Sequence, residues 1–423
     1  MTTAQADRAG PPDAAIGRYR WVVVGLLFMA MVINYVDRQA LGLLKADLTA
    51  EFGWTETNYA DLVFWFQAAY AIAYLAWGRI IDKIGARFGF GIAFAIWQVG
   101  HMLTAAAGSF GGFIASRVVL GLGEGGAFPA GIKSVAEWFP KKERAFATGL
   151  FNAGTNIGAI VTPLLIPALT LAFGWKMTFI VTGLLGLIWL LVYRRPREHA
   201  KVSAAELAHI ESDPADPVEK VAWTKLLTYR ETWAYAIGKF LIDPIWWMFL
   251  FWLPDFLGKK HGLDLKTFGP PLVAIYLLSD VGSVGGGWLS SRFIRMGWSI
   301  NRARKTTMLI CALLAVPVAG AALASNLWVA VLIIGVATAA HQGFSANLYT
   351  LPSDVFPRSA VGSVVGIGGM VGAVGGMVFS KYVGGVLEEI GTYTPIFVVA
   401  ASAYLLALLA VHLLTPKMEP VKL

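Results

Sequence analysis

Apolar stretches of membrane-crossing length recur along the chain. A helix needs about twenty mainly apolar residues to cross a hydrocarbon core. Such windows fall near 20–45, 58–80, 88–107, 110–138, 145–172, 177–193, 231–257, 268–294, 305–324, 327–353, 360–387 and 393–415. Inside a bilayer the backbone must satisfy its own hydrogen bonds, so each window predicts a helix, twelve in all. Of the 423 residues, 57% are hydrophobic and only 14% charged, against roughly a quarter charged in soluble domains. The expected fold class is an all-α, multi-pass membrane protein whose first partner is the lipid bilayer.

Loop charges predict the orientation. With twelve alternating spans, one side collects 24 Lys and Arg and the other 5, while Arg38, Arg117, Lys133, Lys239 and Lys381 lie within spans. Cytoplasmic loops collect the positive charge, so both termini are expected in the cytoplasm. The formal net charge of +8 follows this loop pattern and forms no continuous basic stripe, which argues against nucleic acid as a partner. A single cysteine, Cys311, excludes an internal disulfide. Residues 1–19 read as a disordered cytoplasmic arm without a cleavable signal peptide, because the first apolar segment is of spanning length. The one sizeable polar insertion, 194–230, divides the spans six and six. The domains expected are a bundle over 20–193, a linker over 194–230, a second bundle over 231–415 and a tail over 416–423. Within the linker, SAAELAHIES predicts a short amphipathic helix with a Ser cap.

An internal repeat matches that division. AEWFPKKERAFATGLFNAG (136–154) aligns without gaps to SDVFPRSAVGSVVGIGGMV (353–371), and GRIIDKIGAR (78–87) is echoed by GWLSSRFIRMG (287–297). Parallel repeats of six helices are one of the architectures of secondary transporters. Gly78-x-x-x-Asp82-x-x-Gly85-x-Arg87 resembles the signature loop of the major facilitator superfamily, and Arg117-x-x-x-Gly121-x-Gly123 resembles its helix-4 motif. NYVDR in helix 1 and SRVVLGLGEGGAFPA in helix 4 resemble the anion:cation symporter family. GKFLIDPIWWMFLFWLPDF and the SAAELAHIESDP loop resemble its hexuronate-transporter branch. The resemblance implies the major facilitator fold and proton-coupled symport of a sugar acid by alternating access. It further implies a functional monomer in a bacterial inner membrane, with protons as coupling ion and no other cofactor.

The charges inside the spans carry the chemistry. Asp37 and Arg38 are adjacent in helix 1 and point about 100° apart, so they cannot simply neutralise each other. Asn34 and Tyr35 share the face of Arg38, whose planar fork suits a carboxylate. Arg117 and Glu124 stand seven residues apart on one face of helix 4, about 10.5 Å along the axis, too far for a direct pair in a straight helix. The resemblance assigns proton coupling to Asp37 and Glu124, with Arg117 as modulator. A permanent structural ion network is the competing reading. Lys133 reads as a lysine snorkelling towards the loops.

Other polar groups at membrane depth suit the hydroxyls of a sugar acid: Asn152 and Asn156 on helix 5, Tyr276, and Gln342 with Ser345 and Asn347. Trp247 offers an aromatic face that could stack on a sugar ring or pack between helices, and the resemblance adds Tyr70 as a substrate contact. The roles of Asp243, Asp280 and His341 stay open; His341 occupies the repeat position of Glu124. In the 78–87 loop, Gly78 and Gly85 permit close approach, and Asp82 suits a helix N-terminus of the opposite half. The resemblance makes Gly78, Asp82, Gly85 and Arg87 a gate, for which the second copy has only Ser291 at the Asp position. The Gly-rich run 362–376 lies in a span without the GK[ST] of a phosphate loop, so it reads as close helix packing. No metal-ligand cluster or catalytic triad appears, and no enzyme is expected. The leading expectation is an importer of glucuronate or galacturonate. Its rivals are an importer or exchanger of another organic anion, such as the aldonate galactonate, and a transporter-like membrane sensor.

Overall fold

The computed structural model describes residues 17–193, 202–212 and 223–421, with a few side chains outside that description, the gate candidate Asp82 among them. Residues 1–16 of the expected arm over 1–19, and 194–201 and 213–222 of the expected linker, also lie outside the described residues. Helices follow one another as α1 (Tyr19–Leu43), α2 (Lys45–Phe52), α3 (Glu56–Ile84), α4 (Ala86–Ala106), α5 (Phe110–Glu124), α6 (Ala127–Trp138), α7 (Lys141–Tyr193), α8 (Ala204–Ile210) and α9 (Trp223–Leu226). The second half continues as α10 (Arg230–Phe251), α11 (Leu253–His261), α12 (Gly269–Arg295), α13 (Ile300–Ala315) with a 3₁₀ turn (Val316–Leu323), α14 (Leu327–Val355), α15 (Arg358–Glu389) and α16 (Thr394–Leu414). Among the described residues, nine helical segments are long and apolar enough to cross a membrane.

Local chemistry sets the ends. Thr55 and Asn58 form a reciprocal capping box at the start of α3, Ser109 caps α5, Ser203 caps α8 and Asn326 caps α14; each side chain satisfies N–H groups that have no partner within the helix. Gly85, at φ 84°, makes the corner between α3 and α4 that a residue with a Cβ would adopt only under strain. The long α7 breaks at Gly174 (φ 79°) into two helices. The segment expected as one helix over 231–257 breaks at Trp252, with Pro254 in the first turn of α11, where its missing N–H costs nothing.

The halves α1–α7 and α10–α16 are bonded together at the end of the bundle away from the chain termini. There Lys45 bridges Glu56 of its own half (2.6 Å) and Asp255 of the other (2.8 Å), and Lys259 pairs with both Glu56 and Asp255. Tyr393 donates to Asp255, Lys381 pairs with Asp61, and the Tyr59 hydroxyl donates to the Phe251 carbonyl at 2.7 Å. Burial works against the Asp255 carboxylate, yet the ammonium groups of Lys45 and Lys259 outweigh it and hold Asp255 below the usual carboxylate range. At the other end α8 docks on the first half: buried Glu206 accepts from the Tyr19 and Arg20 N–H groups at 3.2 and 3.0 Å, and Arg20 also pairs with Glu143 at 2.9 Å.

Candidate functional site

Two glycines let α5 press against its neighbours and so carry Glu124 into the bundle centre. A Cβ at Gly121 would lie 2.4 Å from the Phe66 carbonyl of α3, and one at Gly123 would lie 2.3 Å from the Trp97 amide of α4. With α5 seated this deeply, Glu124 meets Arg38 of α1. Both side chains are buried, and Arg38 Nε and Nη2 reach the same Glu124 oxygen at 2.8 and 2.7 Å. Four aromatic rings cage the guanidinium at 5.2–5.6 Å: Tyr35, Phe66 and Tyr70 from the first half and Trp247 from the second. Cations sit well on such ring faces. Because a guanidinium has five N–H donors and a single carboxylate oxygen engages it here, it keeps capacity for a second anion. Asn34, one turn before Arg38, is fully buried.

Asp37 lies on another side of α1 and meets α4. Gln98 Nε2 donates to its Oδ2 at 2.8 Å, and His101 Nε2 stands 3.2 Å from its Oδ1. The protonation of that ring nitrogen follows from its other neighbour. Thr182 Oγ1 spends its hydrogen on the Thr178 carbonyl at 2.8 Å, so at 2.7 Å from His101 Nε2 it accepts, and Nε2 carries the hydrogen. Asp37 thus accepts from Gln98 through Oδ2, while its Oδ1 stands beside the His101 ring, whose Nε2–H goes to Thr182. Arg117 donates to Thr104 Oγ1 at 2.5 Å and faces the Phe179 ring at 6.0 Å, beside this pair rather than inside it. Sequence reasoning missed Gln98 and His101; their spacing of three within an apolar span puts both on one helix face and was the available signal.

The second half is built differently. Lys239 and Asp243, one turn apart on α10, pair at 2.7 Å, and Lys239 also donates to the Tyr349 hydroxyl at 2.6 Å. His341 stacks on Trp246 with ring centroids 5.2 Å apart and planes 9° apart, and its Nδ1 lies 3.1 Å from the Tyr404 hydroxyl. Tyr276 donates to the Phe249 carbonyl at 3.3 Å. Asn347 stands away from the Arg38 cage: its amide nitrogen bonds the Gly286 and Gly343 carbonyls at 3.1 and 2.9 Å, tying α12 to α14. Asn156 is half-buried and within 3.3 Å of the Thr155 hydroxyl, Asn152 is exposed and Gln342 half-buried. The structure therefore brings Arg38, Tyr35, Tyr70, Trp247 and Glu124 together, with Asp37 and Arg117 behind them. In the loop expected to gate, Lys133 donates to the Ile81 carbonyl at 3.1 Å near the end of α3, no atom stands within 4 Å of a Cβ placed on Gly78, and Arg87 faces the Phe88 ring at 5.6 Å.

A long helical bundle with charged residues paired across helices at its centre is the form of a membrane transporter, and the sequence places it in a family. The profile of the Major Facilitator Superfamily matches residues 27–380, and the chain belongs to that superfamily. Within it, the chain is 31% identical over 402 residues to the hexuronate transporter of Escherichia coli (strain K12), covering 93% of each. It is 30% identical to the D-galactonate transporter of Escherichia coli O6:H1, covering 94% of this chain and 96% of that one. It is 27% identical to the probable galactarate/D-glucarate transporter of Bacillus subtilis (strain 168), over 96% and 93% of the two chains. Among solved structures, the inward-facing, occupied form of a bacterial homolog of the human lysosomal transporter Spinster superposes with a TM-score of 0.72 at 17% identity, over 95% and 96% of the two chains. The fold is that of the superfamily.

Proposed function

We propose that this protein is a proton-coupled symporter that imports a sugar acid, a hexuronate such as glucuronate or galacturonate, by alternating access across the inner membrane. The observation that carries the reading is Arg38, buried at the junction of the two halves, caged by rings from both and held by one oxygen of Glu124. A substrate carboxylate competes with Glu124 for that guanidinium. The buried charges at the centre of the first half, Asp37, Arg38, Arg117 and Glu124, sum to zero, so an incoming anion adds a charge that the low-dielectric interior does not tolerate unpaired. A proton taken up by Glu124 or Asp37 restores neutrality and frees Arg38 for the substrate, which ties the two cargoes together.

The relatives support the substrate class, since their names cover a hexuronate, a galactonate and a galactarate or glucarate. The same names favour a second reading, in which the cargo is an aldonate such as galactonate. Twelve spans follow when α7 counts twice about Gly174, α5 with α6 and α13 with its 3₁₀ turn count once each, and α3 counts as one. They make two six-helix bundles over 20–193 and 231–415, with both termini cytoplasmic and the monomer as the working unit. The sealed far end then faces the periplasm.

The test is uptake of labelled glucuronate into liposomes holding the purified protein, with an inward proton gradient imposed or collapsed. Gradient-dependent accumulation is expected. Uptake of galactonate alone moves the substrate to the second reading, and uptake of glucuronate indifferent to the gradient overturns the coupling.

A further inference from the structure

Resting on the sugar-acid reading above, we infer that Asp243 reads the end of the substrate remote from Arg38 and makes the site selective for sugar acids with one carboxylate over six-carbon diacids.

The geometry comes from two antiparallel helices. On α3, Tyr70 contacts the Arg38 cage and Tyr74 follows one turn later, its ring centroid 5.9 Å from that of Tyr70. On α10, Trp247 contacts the cage and Asp243 precedes it by one turn. Because α3 runs towards the end of the bundle that bears the termini and α10 runs away from it, Tyr74 and Asp243 are displaced from Arg38 in the same direction. One turn is about 6 Å along a helix, four residues at a 1.5 Å rise. Helix α15 bridges the two side chains through glycines: a Cβ on Gly369 would lie 3.4 Å from the Tyr74 ring, and one on Gly372 would lie 2.3 Å from Asp243 Oδ2. Asp243 and Trp247 also sit on the inner side of α10. Its other side, with Phe240, Leu241, Pro244 and Ile245, lines an apolar groove shared with Val378 and Leu406, two residues exposed on the outer surface of the bundle.

Of the Lys239–Asp243 pair, the acid is the more accessible: its side chain is 15% exposed against 4% for Lys239. Lys239 lies behind, engaging Asp243 Oδ1 at 2.7 Å and donating to Tyr349 at 2.6 Å, which leaves Oδ2 to accept. The strip thus offers a cation at one end and an acceptor carboxylate about one turn away, a span that a six-carbon chain with bonds of about 1.5 Å can bridge. A hydroxyl at the far end of the substrate donates to Asp243. A second carboxylate there meets a like charge, and like charges set against one another suppress the wrong partner by about tenfold or more.

Galacturonate and galactarate test this, since they share their hydroxyl configuration and differ at C1. The experiment is competition of each acid against labelled galacturonate on the purified protein and on Asp243→Asn, with the double variant Lys239→Gln/Asp243→Asn to remove both charges should the single one fold poorly. Wild-type protein is expected to favour galacturonate by about tenfold or more, and either variant to narrow that ratio about tenfold. A ratio unchanged in folded variants, or a wild type that binds both acids alike, overturns the role of Asp243 and leaves the sugar-acid reading standing. Failure of wild-type protein to bind either acid overturns the role of Asp243 together with the hexuronate reading.

Discussion

The centres of the two halves solve the problem of buried charge in opposite ways. In the first half each charged side chain finds its partner on another helix: Arg38 of α1 on Glu124 of α5, Asp37 of α1 on Gln98 and His101 of α4. In the second half the ionic partners, Lys239 and Asp243, stand one turn apart on the same helix. A pair carried by one helix survives any rigid movement of that helix, whereas a pair shared between helices is broken or made when they shift. The halves carry matching repeat segments, yet among the described residues the inter-helix ion pair of the second half, Arg304 of α13 with Asp354 of α14 at 3.3 Å, stands near the bundle end that bears the termini and not at the centre. The second holds a fixed polar feature, and at the position matching Glu124 it has His341, stacked on Trp246.

The hardest test of this contrast is Arg38→Ala. It strips Glu124 of its counter-ion in a fully buried site, a change that costs about 3–5 kcal/mol where buried pairs are broken. That cost falls on stability; galacturonate, which loses its own cation, should bind more than about thirtyfold more weakly, about 2 kcal/mol or more at 1.4 kcal/mol per factor of ten, read by titration of purified protein that still gives a cooperative melt. Arg38→Lys should recover little, because an ammonium lacks the planar fork. Unchanged affinity in Arg38→Ala would remove Arg38 as the anchor, and unchanged affinity in Arg38→Lys would remove the planar fork as the reason for it. Glu124→Gln comes next. Accumulation driven by a proton gradient should vanish while counterflow exchange of substrate continues, and persistence of gradient-driven accumulation would leave Glu124 without a role in coupling.

How much of this was legible beforehand follows from the range of each signal. The long apolar helices were, because a crossing helix declares itself within about twenty contiguous residues, and nine among the described residues are long and apolar enough to cross. Asp37, Arg38, Arg117 and Glu124 were conspicuous as charges in apolar runs, but the choice of Glu124 as partner to Arg38 depends on how deeply α5 sinks beside α3 and α4, a property of glycine contacts in space. Gln98 and His101 look ordinary in AIWQVGHML and gain meaning only by facing Asp37. Lys239 and Asp243 were readable as an i, i+4 pair within GKFLIDP. The far-end latch was not, since its members at 45, 56, 255, 259 and 393 share neither a motif nor a local period.

His101 and His341 make the comparison quantitative. His101 Nε2–H goes to Thr182 and its ring stands 3.2 Å from Asp37 Oδ1, so His101→Gln changes the surroundings of a carboxylate to which the proposal gives a coupling role. Uptake should keep its maximum rate within about tenfold, while the midpoint of its pH profile moves by about one unit, a free-energy change near 1.36 kcal/mol. His341→Phe keeps a ring against Trp246 and removes the bond to Tyr404, with an expected loss of about 1 kcal/mol seen as a lower melting temperature. Its pH profile should match the wild type. A profile that moved with His341 and stayed fixed with His101 would reverse the assignment of the exchangeable charges to the first half.

The smallest effect is expected at the far-end latch, and its smallness is informative. Asp255 is held below the usual carboxylate range by Lys45 and Lys259. A depressed carboxylate contributes stability that is present above its unfolded pKa, about 3.9, and is lost as pH falls through the lower folded value. Between pH 5 and 8 Asp255 therefore keeps its charge, and its contribution to closure is constant. Spin labels at the exposed positions Thr57 and Ile390, one on each half, should report the same distribution of distances across that range in the absence of substrate. Lys45→Met should broaden the distribution towards separation by a similar amount at every pH in the window. If closure of wild-type protein instead loosened between pH 7 and 5, protonation would be acting at the sealed end as well as at the centre. A pH-dependent uptake rate could then no longer be read as the titration of Asp37 and Glu124 alone.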